Sequence, residues 1–114
     1  MTNKSKISTS RLIKKRDALM HKLAVAGPFT RGSLVTAQKG NHTAHQLTVS
    51  VNGKTHTVYI PLEMVEEVEQ WVKNYKKVQE LIKEISKANM AIIHNRIPEL
   101  RADAERKENL KKLL

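Results

Sequence analysis

The chain has no cysteine among its 114 residues. That excludes a disulfide, a thiol nucleophile and any cysteine-built zinc site. Aromatic residues are scarce, with one Phe, one Trp and two Tyr. A single-strand binder built on base stacking needs more of them. No apolar run approaches the roughly 20 residues of a membrane-spanning helix. The basic N-terminus is followed by no apolar core of a signal peptide, so no membrane association is expected and the setting is expected to be intracellular and cytoplasmic. Acidic residues are nearly missing from the first half. Residues 1–60 carry ten Lys/Arg and one acid, Asp17, whereas residues 61–97 carry six of each. Almost the whole net charge of +10 therefore sits in front. A one-sided excess of this kind points to an anionic partner.

The dominant feature is a long helical pattern over Leu62–Ile97. Met64, Val68, Trp71, Tyr75, Val78, Ile82, Ile85, Asn89 and Ile92 follow one another at alternating intervals of four and three. This is the period of a helix packed against other helices, as in a coiled coil. With Val68 and Tyr75 at a, and Trp71 and Val78 at d, the flanking positions still hold apolar Val72, Leu81, Ala88 and Ile93. Such a broad stripe suits cover by more than one neighbour. Asn89, at an a position, either sets the register of a dimer or marks a fraying end. Glu63, Glu66 and Glu67 near the start suit the helix dipole, and Pro98 should break or kink the helix.

The rest falls in order around that helix. Residues 1–9 read as a flexible basic arm. Ser8 or Ser10 can cap a first helix reaching about Ala26, with Leu12, Arg16, Leu19, Met20 and Leu23 on one side and a stop at Gly27-Pro28. Residues 28–61 switch to a period of two. Strands are expected at Ser33–Gln38, Ala44–Val51 and Lys54–Ile60, with a turn at Lys39-Gly40-Asn41. Asn52-Gly53 is a strong two-residue hairpin signal. It would place Val51 opposite Lys54, Val49 opposite His56, Leu47 opposite Val58 and His45 opposite Ile60. Leu47, Val49, Val51 and Val58 should then face inward. Gln46, Thr48, Ser50, Thr55, Thr57 and Tyr59 should face outward, on a side that could enter a major groove. Residues 98–114 read as a short helical extension.

Chemistry-bearing clusters are few. His42, His45 and His56 have no acid or cysteine near them, and His45 and His56 are not directly opposed, so no metal site is expected. The carboxylates alternate with lysines on the long helix rather than pairing for acid–base work. The four glycines are isolated and build no phosphate cradle. A non-enzymatic protein without a cofactor is expected.

The run Arg31-Gly32-Ser33-Leu34-Val35, then Val51-Asn52-Gly53-Lys54-Thr55, Val58-Tyr59-Ile60-Pro61 and Glu63-Met64-Val65-Glu66-Glu67-Val68 with Trp71 and Tyr75 resembles a family of short uncharacterised prokaryotic proteins. The resemblance covers roughly residues 28–93. It implies the architecture and a mobile-element context, but no activity. Relatives often carry a cysteine- and glycine-rich segment between the first two strands. Here Lys39–His45 stands in its place without cysteine, so a zinc role is not implied.

The expected fold is α+β: an N-terminal basic helix, a three-stranded antiparallel β-meander, a long amphipathic helix and a short C-terminal helix. The expected organisation is an arm at 1–9, one α+β domain at 10–97 and the extension at 98–114. The expected partner is nucleic acid, DNA ahead of RNA. Arg11, Lys14, Lys15, Arg16, Lys22, Arg31, Lys39 and Lys54 are the candidate phosphate contacts. Six such contacts would give a log–log salt slope of about −5. The alternative is a protein–protein interaction module, a homodimer through the long helix, with Val72, Leu81 and Ile93 meeting a second chain.

Overall fold

The computed structural model describes residues 7–113. Most of the arm expected at 1–9 lies outside the described residues. The element order is α1 (Thr9–Ala24), β1 (Ser33–Lys39), β2 (His42–Val51), β3 (Lys54–Ile60), a 3-10 turn (Leu62–Met64) and α2 (Val65–Leu113). This is the α+β layout read from the sequence. One difference is that α2 runs unbroken through Pro98 for 49 residues. Pro98 supplies no N–H to the carbonyl of His94. That carbonyl belongs to an exposed turn, where water can take the place of the missing donor. The separate C-terminal helix expected after Pro98 is therefore the end of α2.

The chain forms two compact units. One joins the stretch ending at Lys22 with Leu81–Leu114, and the other is Leu23–Glu80. In the first unit, the carbonyl and hydroxyl of Ser8 accept from the N–H groups of Leu12 and Arg11, capping α1. Leu12 is buried, while Ile13, Arg16, Leu19 and Leu23 are half-buried. Met20, expected on this side, is 50% exposed. On α2 the covered positions are Leu81, Ile85, Ala88, Ile92 and Asn95, again at intervals of four and three. The covered seam keeps Ile85, half-buried Asn89 and Ile92 of the expected one and departs from it at Ile82. Ile82 stands 51% exposed. The strip beside it carries Ala88, a residue small enough to let α1 approach, and Asn95. The Asn95 amide donates to the Ile7 carbonyl at 2.9 Å. Thr9 donates to Glu99 at 3.4 Å.

In the second unit the meander has strand order β1-β2-β3, antiparallel throughout. The pairs Val51–Lys54, Val49–His56, Leu47–Val58 and His45–Ile60 form as expected. Asn52 and Gly53 take φ of 52° and 78°, as a type I′ hairpin requires. The row expected to face inward is only partly covered: Leu47 and Val49 are half-buried, but Val51 is 41% and Val58 54% exposed. Three strands do not make a closed core, and the loop before β1 approaches this row at Gly32, beside Leu47 and Val49. That loop is tied to α2. The Thr30 N–H donates to the Trp71 carbonyl at 3.2 Å, Asn74 donates to the Pro28 carbonyl at 2.9 Å, and Phe29 meets Tyr75 with ring centroids 6.0 Å apart. Val68 and Val78 of α2 are 3% exposed.

Gly32 joins the loop to β1. Its φ is +129°, and a Cβ there would stand 2.9 Å from both Leu47 Cδ1 and Val49 Cγ2. Neither the backbone nor the space admits a side chain. Gly32→Ala is expected to cost about 2–4 kcal/mol in urea unfolding followed by circular dichroism. Thr57→Ala, on an exposed strand position, should stay within about 0.5 kcal/mol.

Candidate nucleic-acid interface

The 3.6-residue period of α1 divides its five cations. Arg11, Lys14, Lys15 and Lys22 are all exposed, and their spacing puts them on one face around Ala18. That face is about 16 Å long from Arg11 to Lys22 at 1.5 Å per residue. Asp17 borders this face beside Lys14 and is paired with Arg16 at 3.1 Å. Arg16 is turned away from this face. It falls on the stripe with Leu12, Leu19 and Leu23, its Nη1 donates to Asn89 Oδ1 at 3.3 Å, and its Nε donates to Asp17 Oδ1 at 3.1 Å. Arg16 therefore holds α1 to α2 and neutralises the one acid of α1. Asn89 has an intrachain task, locating α1 along α2.

The three cations of the second unit do not come together. Lys39 closes β1 opposite His42, and Lys54 opens β3 opposite Val51. They stand at opposite ends of β2, about 30 Å apart along the strand. The Lys39 ammonium lies 5.2 Å over the Tyr59 ring and 3.3 Å from its hydroxyl. Arg31 is near the Lys54 end, where its Nη2 donates to the Ser50 carbonyl at 2.6 Å. The histidines do not converge either. His42 and His45 are three apart on one strand and so lie on opposite faces. His45 bonds Thr36 across the ladder at 3.4 Å, and His56 pairs with Val49, four residues along β2 from His45. No group of His, Asp or Glu that could hold a metal occurs among the described residues. No helix among them is long and apolar enough to cross a membrane.

Two features escaped the sequence reading. The first is a groove of about 440 Å³ in the second unit, lined by Ser33, Thr48, Ser50 and Thr55 of the sheet, by Arg31, and by α2 residues including Lys76. The hydroxyl side expected to face outward thus partly lines a crevice against α2. The alternation of Thr and Ser on β2 and β3 was the legible signal. Lys76 was hidden in a run of lysines. The second is an uncovered stripe on α2 in the first unit. Ile82, Met90, Ile93, Ile97 and Leu100 are 51%, 57%, 52%, 42% and 57% exposed, and with Ser86 they share one helix face.

Comparison of the chain with protein-family models, curated proteins and solved structures returned no match.

The two fates of the α1 cations are separable by experiment. Arg16→Ala should lower unfolding stability by about 1 kcal/mol through loss of the Asn89 bond and the buried stem. Lys14→Ala and Lys15→Ala should each stay within about 0.5 kcal/mol. Urea titrations of the three variants check this.

Proposed function

We propose that the protein is a non-enzymatic nucleic-acid binder that grips duplex DNA by its phosphates, in a cytoplasmic setting. The observation that carries this reading is the exposed α1 face with Arg11, Lys14, Lys15 and Lys22 and no acid among them. A rigid helix bearing four cations over about 16 Å suits a regular row of phosphates. The scarcity of aromatics favours duplex over unpaired bases as the target. Arg16 contributes packing rather than a phosphate contact. The mobile-element context rests on the family resemblance alone.

A second reading has its own support. The uncovered Ile82–Leu100 stripe would pair with the same stripe of a second copy. Covering five half-exposed side chains of this size is worth on the order of 5 kcal/mol per copy, so about 10 kcal/mol for the pair. That lies within the roughly 4–15 kcal/mol cost of association, which makes the homodimer weak. Lys83, Arg96 and Arg101 flank the stripe and repel their counterparts, so salt strengthens the dimer by screening them.

Salt therefore acts in opposite directions on the two activities. Fluorescence anisotropy with duplex DNA should give a log–log salt slope of about −3.6 from the four α1 contacts alone. Replacing Lys14 and Lys15 by Gln should bring it roughly two units nearer zero. A wild-type slope near zero would remove the DNA reading. In sedimentation, self-association should rise with salt and vanish in Ile93→Asp. A particle that stays monomeric at all concentrations would remove the dimer.

A further inference from the structure

The groove of the second unit has an unusual lining. Ser33, Thr48, Ser50 and Thr55 share one sheet face, because the register pairs Ser33 with Thr48 and Ser50 with Thr55. Arg31 stands at the wall, its guanidinium fixed by the 2.6 Å bond to the Ser50 carbonyl. A guanidinium has five N–H donors, and that bond uses one. From α2 comes Lys76, exposed and in no ion pair among the described residues. Its neighbour Lys73, one turn earlier, is by contrast paired with Glu69 at 3.3 Å. No residue lining the groove is acidic.

We infer that this groove is an oxyanion site for a phosphomonoester. Two cations and several rotatable hydroxyl donors match a dianion with three acceptor oxygens better than a single carboxylate. The volume of about 440 Å³ lies within the range of roughly 300–1,000 Å³ for small-molecule sites. A bare phosphate would leave most of it unfilled. The remainder of the ligand lies against Val72 and Tyr75, which supply the apolar wall. A ligand of mononucleotide size fits these requirements. The site does not use the α1 face and stands or falls apart from the DNA reading.

The test is an amide-resolved NMR titration of the full chain with inorganic phosphate, adenosine 5′-monophosphate and adenosine. The monophosphate should produce saturable shifts at Gly32, Ser33, Thr48, Ser50 and Thr55. Inorganic phosphate should shift the same amides with affinity about tenfold weaker, and adenosine should leave them unmoved. Lys76→Gln, at an exposed helix position, should weaken the monophosphate about tenfold while keeping the ligand-free hairpin resonances in place. Thr55→Ala should weaken it less. Lys14→Gln with Lys15→Gln should leave it unchanged. Shifts that fail to saturate by about 20 mM, that adenosine reproduces, that ignore Lys76→Gln, or that fall only on Arg11–Lys22 would overturn the site.

Discussion

Apolar burial is scarce in this protein, and the positions of its parts depend on a handful of polar ties to α2. Among the described residues only Leu12, Val68, Val78, Ala88 and Ile92 are buried hydrophobics, and no large side chain is wholly enclosed. Hydrophobic contact is non-directional, so a thin apolar strip leaves an element free to slide. The amides of Asn74 and Asn95 and the guanidinium of Arg16 remove that freedom. Asn74 holds the loop before β1. Asn95 holds the chain at Ile7, and Arg16 finds Asn89. Each bond is worth about 1 kcal/mol net. Their main effect is to select one register among several of similar burial.

The same scarcity explains what the sequence revealed. Local signals were read well. Ser8 caps α1, Asn52-Gly53 turns the hairpin, and the strand register follows from the two-residue loop without further information. The tertiary partners were not legible. Nothing in a single periodic stripe says which neighbour covers which part of it, so Ile82 looked like core and is exposed. Ala88, expected on the flank, is buried. Pro98 misled because its penalty is local. An exposed turn can replace one donor with water, and the good helix formers Glu99, Leu100, Arg101 and Ala102 carry the helix on.

Of the eight candidate phosphate contacts, the separation on α1 could have been drawn from spacing alone. Arg16 sits four after Leu12 and three before Leu19, on the apolar side, whereas Arg11, Lys14, Lys15 and Lys22 clear it. Arg31, Lys39 and Lys54 looked equivalent as single letters. Topology distributes them: strand length puts Lys39 and Lys54 at opposite ends of β2, and the loop bends Arg31 onto the Ser50 carbonyl. Charge is therefore organised by element. α1 carries an open cationic face, and the sheet holds a hydroxyl-lined groove with two cations.

The residues after Pro98 have a thermodynamic consequence. Glu99–Leu113 are helical and exposed along their whole length. A proline inside a helix would matter little if packing clamped both sides. Here, among the described residues, the hydrogen bond that reaches this stretch from another element is that of Thr9 to Glu99. The tail is joined to the rest by a helix whose ladder has a missing rung, so its melting is poorly coupled to that of the sheet. Heat or denaturant would act on such a chain in stages, and no single midpoint would describe it.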